Sequence, residues 1–251
     1  MKITTQTDDD MQGSCTASLS KQAQFPEHFK FYFKRKQRED YQHELSELQD
    51  LVRPRLRIAI VTEKWPPDIN GVAISMLQLC QGLQRLGHKI LLVRPEQKQS
   101  GIEFQPEQEC LVFSQAIPQY SGLRFGWPQY LKVAKAFEKF APDVVHIVTE
   151  GPLGLTALQA AKARKTAVCS GFYSPFQSFN RFFDLAFLVK PMQRYLTWFY
   201  NSSNLICVPD QATGEILRGL GMSCPLVVIG QDVQQLEQVF YQLVNGVTYD
   251  L

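Results

Sequence analysis

Short apolar runs alternate with longer amphipathic stretches along most of the chain, and this alternation predicts a sheet of parallel strands. The run RIAIVT at 57–62 is rich in β-branched residues, as strands buried on both faces are. The stretch after Gly71 has apolar residues at helical spacing, and Gly87 stands where that helix would end. Five further apolar runs are HKILLV (88–93), VVHIV (144–148), TAVCS (166–170), LICVP (205–209) and PLVVIG (225–230). The alternation predicts a doubly wound, Rossmann-like α/β domain of six or seven mainly parallel strands over residues 57–230.

The N-terminal 56 residues follow a different pattern and are predicted to be an extension of this domain. Residues 1–24 are polar, as in disordered tails, and 29–52 have partly helical spacing. Three consecutive aspartates at 8–10 indicate a solvated charge run rather than a metal site. The basic and aromatic stretch Phe29–Arg38 predicts an amphipathic surface helix, and contact with nucleic acid or anionic lipid is the less favoured alternative.

The composition indicates a folded protein and excludes several other classes of protein. Among 251 residues, 45% are hydrophobic and 20% are charged, which excludes wholesale disorder. The net charge of +2 gives no strong field, so no nucleic-acid partner is expected. The six cysteines have neither metal-site nor disulfide-scaffold spacing, and the first residues lack the apolar core of a signal peptide. No metal is expected. We expect a cytoplasmic protein, with a peripheral position at the inner face of the membrane as a further expectation.

Candidate chemistry begins in the loop after the first predicted strand. Asn70 and Gly71 permit a sharp turn directly at a helix start. The N–H groups of Gly71, Val72 and Ala73, together with the helix dipole, would favour a phosphate group. A simple turn is the alternative. The loop is not the GxGxxG pattern of dinucleotide-binding proteins, so an NAD site is disfavoured.

Two later loops reach the same edge of the predicted sheet. In the loop after VVHIV, Glu150 could accept hydrogen bonds from a polyol, and Gly151 keeps the next helix start open. His146, within the strand itself, is predicted to be a core residue rather than a ligand. The loop at 170–183 combines aromatic residues with neutral hydrogen-bonding groups such as Tyr173 and Gln177, which suits a sugar ring. An aromatic lid packed on the core is the alternative.

The order and spacing of these loops resemble the N-terminal domain of the retaining glycosyltransferases of family 4, which have the two-domain GT-B fold. The stretches that carry the resemblance are RIAIVTEKWPPDINGVA, GLQRLGHKILLVRP, PDVVHIVTEGPLG, LVKPMQRYLTWFYNSSNLICVP and LVVIG. It is closest to members that move mannose or related sugars onto lipids or glycans. The resemblance implies a nucleotide sugar as donor substrate and no other cofactor. It implies that Gly71 and Val72 approach the donor phosphate. The residues implied for the acceptor or sugar are Asn70, Glu150, Gly151, Tyr173 and Gln177.

The sequence also departs from the family pattern. Tyr173 stands where members usually have a histidine close to the reacting sugar, and Gln177 stands where a second histidine is frequent. Tyrosine does not titrate near neutral pH as histidine does, so no catalytic residue is assigned. The donor-domain motifs of the family do not occur in these 251 residues. We therefore expect the chain alone to be nearly inactive, as a truncated form or with a separate donor-domain chain as partner.

Two further expectations concern segments near the C-terminus. In the tail, 231–251, the apolar spacing predicts a helix that packs back on the domain, as the last helix of GT-B enzymes does. The segment Phe182–Tyr200 combines apolar residues with Lys190 and Arg194, which predicts peripheral membrane contact; packing in the core is the alternative. The alternative to a transferase half is a non-catalytic module that binds a glycan, a lipid or a protein partner.

Overall fold

The apolar runs form the strands that their pattern predicts. The computed structural model describes residues 54–67, 71–97, 104–116, 124–173, 186–230 and 232–246. Within these ranges the strands are β1 (Arg57–Val61), β2 (Lys89–Pro95), β3 (Gln108–Val112), β4 (Ser114–Ala116), β5 (Arg124–Gly126), β6 (Val144–Ile147), β7 (Ala167–Gly171), β8 (Leu205–Val208) and β9 (Leu226–Val228). The helices are α1 (Gly71–Arg85), α2 (Tyr130–Phe140), α3 (Pro152–Ala163), α4 (Ala186–Asn201), α5 (Gln211–Gly219) and α6 (Val233–Val244).

Seven strands form one sheet in the order β3-β2-β1-β6-β7-β8-β9, and each neighbouring pair is parallel. Ile60 of β1 lies opposite Leu92 of β2 on one side and His146 of β6 on the other. The chain runs outward from β1 through β2 and β3 and then returns to β6, so the strand order reverses between β1 and β6. The predicted doubly wound sheet is confirmed. Folds of this kind bind ligands beyond the carboxyl ends of the strands at such a reversal.

Alternate residues of the buried strands supply two separate cores, one on each face of the sheet. In β1, Ala59 and Val61 face one core, while Ile58 and Ile60 face the other. The first core is covered by α2, α3, α4 and α5, and the second by α1 and α6. Each residue that follows a strand therefore lies on one of the two faces of the sheet. Candidate residues on the same face can lie near each other, whereas those on opposite faces are separated by the sheet.

Gly87 ends α1 as predicted. Its φ of +89° lies in the left-handed region that favours glycine. The Gly87 N–H donates to the carbonyl of Gln84 (3.0 Å), and the His88 N–H donates to the carbonyl of Leu83 (3.1 Å). This turn directs His88 inward at the start of β2, where it is 3% exposed.

His88 joins α6 to the sheet. Its Nδ1 accepts a hydrogen bond from the Leu56 N–H (3.0 Å), so Nε2 is the ring nitrogen that carries a proton toward the Glu237 carboxylate, 2.7 Å away. Both side chains are buried. Phe240, one turn further along α6, packs edge-on against His146 of β6 at 5.6 Å between ring centroids. The prediction that the C-terminal helix packs back on the domain is confirmed.

The pattern did not identify β3, the β4–β5 hairpin or α2. β3 is an edge strand that begins with the polar residues Gln108 and Glu109, and of its five residues only Cys110 and Val112 are buried, so it lacks the long apolar run of the central strands. β4 and β5 are three residues each and pair antiparallel beside the main sheet. Strands of three residues are too short for an alternation of apolar and polar residues to be recognised in the sequence.

The described cysteines are buried free thiols: Cys80, Cys110, Cys169, Cys207 and Cys224. The Sγ atoms of Cys169 and Cys207, on neighbouring strands β7 and β8, are 3.2 Å apart. Burial raises the pKa of the Cys80, Cys110, Cys169 and Cys224 thiols. The interior therefore holds these groups in the protonated, unreactive form.

The predicted tail and helix within residues 1–53, including the 8–10 and Phe29–Arg38 segments, lie outside the described residues. The described elements belong to a unit that begins at Arg55. The boundaries 1–56, 57–230 and 231–251 remain predictions.

Candidate functional site

The first candidate position is the start of α1. Gly71 is its first residue and is exposed, and no atom lies within 4 Å of the place where a Cβ would stand. Val72, next along the helix, packs against the core that α1 and α6 cover. Asn70 lies outside the described residues. Among the described residues there is therefore open space beside Gly71, as phosphate binding would require, and phosphate binding itself remains a prediction.

Glu63, in the same loop as Gly71, was not singled out from the sequence. Its carboxyl lies over the first turn of α3, where Oε1 accepts a hydrogen bond from the Leu153 N–H at 3.3 Å. A Cβ on Gly151 would stand 2.6 Å from both Glu63 carboxyl oxygens, so only glycine leaves room for them. The predicted open helix start at Gly151 is thus filled by a side chain of this chain.

Burial raises the pKa of Glu63 from 4.5 to about 7. The N–H of Leu153 opposes this rise, the neighbouring Glu150 adds to it, and Lys64 and the Gly126 N–H oppose it further. At neutral pH this carboxyl is thus close to half protonated, and it can both donate and accept a hydrogen bond. Glu63 could have been selected as a candidate from the sequence, because it follows the first predicted strand just as Glu150 follows the strand VVHIV.

Glu150 is held by two tyrosines of α4. Tyr195 donates its hydroxyl to the Glu150 carbonyl at 2.6 Å, and Tyr200 donates to Oε2 at 3.4 Å. Burial raises the pKa of Glu150, while the Tyr200 hydrogen bond lowers it. Burial and the nearby carboxyls of Glu150 and Glu63 raise the pKa of Tyr195 to about 12. The predicted polyol-binding carboxyl is therefore engaged within the protein, and a role in acceptor binding remains a prediction.

Tyr173 lies on the other side of the sheet from α3 and α4. Its ring crosses β7 so closely that a Cβ on Gly171 would stand 2.2 Å from Cε2. Its hydroxyl is 3.3 Å from Nε2 of His146, and the two rings meet edge-on at 6.0 Å between centroids. His146 is fully buried, and burial lowers its pKa to about 4, so the imidazole is neutral.

The site residues predicted from the sequence therefore lie on two opposite faces of the sheet. Val72 and Tyr173 pack against the core under α1 and α6, whereas Glu150 and Gly151 lie with Glu63 at the start of α3. Gln177, like Asn70, lies outside the described residues.

Only the part of the predicted membrane segment from Lys190 onward has described side chains, and this part divides between core and surface. Leu196, Phe199 and Tyr200 of α4 are buried, as the alternative prediction required. Trp198 is 51% exposed and lines a surface groove of about 650 Å³ together with Lys190 and Arg194. Among the helices that the structure describes, none combines the length and apolarity needed to cross a bilayer.

In the described ranges, no three His, Cys, Asp or Glu side chains lie together in a way that would hold a metal ion.

The chain is similar to several glycosyltransferases. It is 24% identical over 171 residues to a GDP-mannose-dependent alpha-mannosyltransferase of Mycobacterium tuberculosis, covering 66% of this chain and 45% of that protein. It is 22% identical over 165 residues to an alpha-monoglucosyldiacylglycerol synthase of Streptococcus pneumoniae, covering 64% of this chain and 37% of that protein. The chain thus spans less than half the length of these curated relatives.

Among solved structures, a sucrose-phosphate synthase chain from Thermosynechococcus elongatus has the same fold, with a TM-score of 0.50 at 14% identity. The match covers 74% of this chain and 98% of that one. Residues 69–231 match the family model for Glycosyltransferase Family 4. This range extends from just before α1 to just after β9. It includes the site residues predicted from the sequence, from Asn70 to Gln177, whereas Glu63 precedes it. The chain accordingly belongs to glycosyltransferase family 4 and has the Rossmann-like domain of the GT-B fold.

Proposed function

We propose that this chain is the acceptor-binding half of a retaining glycosyltransferase, which moves a sugar from a nucleotide sugar to a lipid or glycan. The observation that carries the proposal is the family 4 match over residues 69–231. The start of α1 supports it, because the open space beside Gly71 would let a donor phosphate approach the positive end of the helix. Gly71 lies beyond the carboxyl end of β1, next to the reversal of strand order.

The proposed reaction needs a second, donor-side domain. Transfer from a nucleotide sugar develops charge on the leaving diphosphate, and this charge is stabilised in a closed cleft that excludes water. The 251-residue chain supplies the acceptor side and the Gly71 helix start. The donor side would come from a separate chain or from the remainder of a longer protein. No metal or other cofactor is part of the proposal.

The acceptor class is taken from the relatives. One is named for glucosyldiacylglycerol synthesis and another for mannose transfer from GDP-mannose. A lipid acceptor would place this domain at the cytoplasmic face of a membrane, with the exposed part of Phe182–Tyr200 as one contact surface.

A non-catalytic binding module is the second candidate, and the observation that favours it is the position of Tyr173. The family residue there is a histidine, whereas here a tyrosine packs across Gly171 and contacts the neutral His146. Such a site could bind a sugar or partner without a group that titrates near neutral pH.

A binding experiment on one glycine tests the donor side. The Gly71→Val variant should weaken binding of a nucleoside diphosphate at least tenfold, because the isopropyl group covers the first N–H groups of α1. The fold should persist, since Gly71 has open space around it and no positive φ. Gly219→Val is the matched control, because Gly219 also has open space and lies at the end of α5.

Binding would be followed by NMR chemical shifts, with candidate sugars and short-chain lipids added in turn. Shifts at Gly71 that Gly71→Val removes and Gly219→Val keeps would support the proposal. Shifts confined to the amino-terminal edge of the sheet would contradict it. Transfer by the chain alone should be negligible, and appreciable transfer would contradict the proposed need for a donor-side domain.

A further inference from the structure

A surface groove runs along the exposed face of α4. It is formed by residues 190–202 and by Leu220, beyond the end of α5, and its volume is about 650 Å³. Lys190, Arg194, Trp198 and Asn201 line it at intervals of three or four residues, which places them in one row along the helix. The row extends for about 16 Å along the helix axis. We call this feature the α4 groove.

The α4 groove is positively charged. Lys190 and Arg194 line it, and neither forms an ion pair or a side-chain hydrogen bond within the described part of the chain. The stretches that form the groove contain no acidic residue, since no Asp or Glu occurs at 186–209 or at 216–231. The two cations are one helical turn apart, about 6 Å along the axis. A ligand with negative charges at a similar spacing could therefore pair with both.

Trp198 gives the groove an aromatic surface. Half of this side chain is exposed, and its indole contacts the ring of Tyr195 at 6.2 Å between centroids. Tyr195 is itself fixed, because its ring packs on the buried Phe199 at 6.1 Å and its hydroxyl donates to the Glu150 carbonyl. An indole held in this way offers a flat apolar surface, on which the C–H face of a sugar ring can stack.

Hydrogen bonds hold the two sides of the groove together. The Thr197 hydroxyl donates to the Leu220 carbonyl at 3.2 Å. Oδ1 of Asn201 accepts from the N–H groups of Ser223 (2.8 Å) and Cys224 (3.1 Å). These bonds join α4 to the loop after α5, so the groove exists before a ligand arrives. Binding to a preformed groove loses little conformational entropy.

The lining of the groove favours a sugar chain over a bilayer or a nucleic acid. Six of the eight lining side chains are polar, including the neutral Gln193, Thr197 and Ser202, which can hydrogen-bond to sugar hydroxyls. A surface that enters a bilayer needs a larger apolar area. Single-stranded nucleic acid needs several stacking aromatic residues and a longer basic track. A charged oligosaccharide matches the lining better than either.

The α4 groove also lies away from the start of α1. Asn201 comes shortly before β8 and Leu220 shortly before β9, so this end of the groove is at the amino-terminal edge of the sheet. Gly71 follows β1, at the opposite edge. The groove is therefore separate from the proposed contact with a donor phosphate.

We propose that the α4 groove binds an acidic oligosaccharide, a short glycan whose sugars carry carboxylate groups. Trp198 stacks on one sugar ring, and Lys190 and Arg194 pair with carboxylates of neighbouring sugars. The length of the row suits a chain of several sugars rather than a single one. The inference goes beyond the proposed function and does not depend on it, because nothing is transferred at this groove.

NMR titration of the full chain with trigalacturonate, which carries one carboxylate on each sugar, tests the proposal. The chain has three tryptophans, and Trp198→Phe identifies the indole N–H signal of Trp198. Trigalacturonate should shift this signal to saturation and leave the signals of Trp127 and the buried Trp65 in place. Maltotriose, a neutral chain of the same length, should bind about tenfold more weakly or less, because it lacks the charged groups.

A charge variant with a matched control tests the role of the two cations. Lys190→Gln/Arg194→Gln should weaken trigalacturonate binding about tenfold or more, as measured by calorimetry. Lys135→Gln/Lys139→Gln removes the same charge from the exposed face of α2 and should leave binding unchanged. All four side chains are exposed, so the fold should persist, which thermal melts would verify.

A second pair of variants tests the stacking surface. Trp198→Ala should also weaken trigalacturonate binding about tenfold, because the sugar ring loses its aromatic contact. Trp127→Ala removes another half-exposed tryptophan, beside α2, and should have no effect on binding. An equal loss with Trp127→Ala, or with the α2 lysine variant, would show that binding is not specific to the groove and would overturn the assignment.

The remaining outcomes also decide the question. A Trp198 signal that trigalacturonate does not shift would overturn the proposal. Tighter binding of a single-stranded oligothymidylate at the groove would assign it to nucleic acid instead. Flotation with phosphatidylglycerol vesicles that Lys190→Gln/Arg194→Gln abolishes, without glycan binding, would assign it to a lipid surface. These samples contain no nucleotide, so failed glycan binding with intact nucleoside diphosphate binding at Gly71 would reject the groove and leave the proposed function standing.

Discussion

At the scale of single residues, two buried titratable groups give opposite dependence of stability on pH. The pKa of Glu63 is raised to about 7, so the folded state holds a proton that the unfolded state releases, and stability falls as pH rises from 4.5 to 7. The pKa of His146 is lowered to about 4, so the folded state lacks a proton that the unfolded state binds. Stability from His146 therefore rises with pH between 4 and 6.5, and the two effects offset each other there.

The Glu63→Gln variant separates the pH dependence of stability due to Glu63 from that due to His146. Glutamine keeps the oxygen that accepts from Leu153 and removes the charge, so the variant should equal the unmodified chain near pH 4.5. A pKa shift of one unit corresponds to about 1.4 kcal/mol. Above pH 7 the variant should therefore be about 2 to 3 kcal/mol more stable than the unmodified chain, after a reduction for the partial exposure of Glu63. Urea unfolding from pH 4.5 to 8 measures the difference. Glu138→Gln, on the exposed face of α2, is the control and should show no such divergence. A constant difference across this range would refute the assigned shift.

At the scale of elements, α6 depends on one buried polar contact. Glu237→Ala removes the acceptor from the His88 Nε2–H, which is then buried without its partner. The free energy of unfolding should fall by about 2 kcal/mol, the usual effect of leaving a buried hydrogen-bond donor without its partner. Gln238→Ala changes the exposed neighbour on the same helix and should have an effect near zero. Chemical denaturation of both variants checks the difference, and equal stabilities would show that the contact contributes nothing.

The elements also show what a sequence can predict here. Six strands were predicted because each is a continuous apolar run, and such runs occur where both faces of a strand are buried. β3 was not predicted because it is an edge strand that begins with the polar residues Gln108 and Glu109, so it lacks a long apolar run. Glu150 was recognised by its place after a strand, but its engagement with Tyr195 and Tyr200 depends on α4, 45 and 50 residues further along the chain. Contacts of such sequence separation leave no local pattern.

At the scale of the whole molecule, the two cores account for the placement of the site residues. Helices on opposite faces separate Tyr173 and His146 from Glu63 and Glu150, although all four follow or lie in neighbouring strands of one sheet. The start of α1 lies on the side of Tyr173, and the filled start of α3 lies on the opposite face of the sheet.

The burial of the thiols has a kinetic consequence for the whole domain. A thiol reagent can reach these cysteines only when the surrounding structure opens, so the labelling rate measures the frequency of opening. With Cys15→Ser, the chain should react orders of magnitude more slowly than free cysteine at equal pH. Cys110 on the edge strand and Cys224 should react before Cys80, Cys169 and Cys207, which are fully buried. Mass spectrometry of timed samples resolves the order. Simultaneous labelling of all five would mean that the sheet opens as one cooperative unit rather than from its edges.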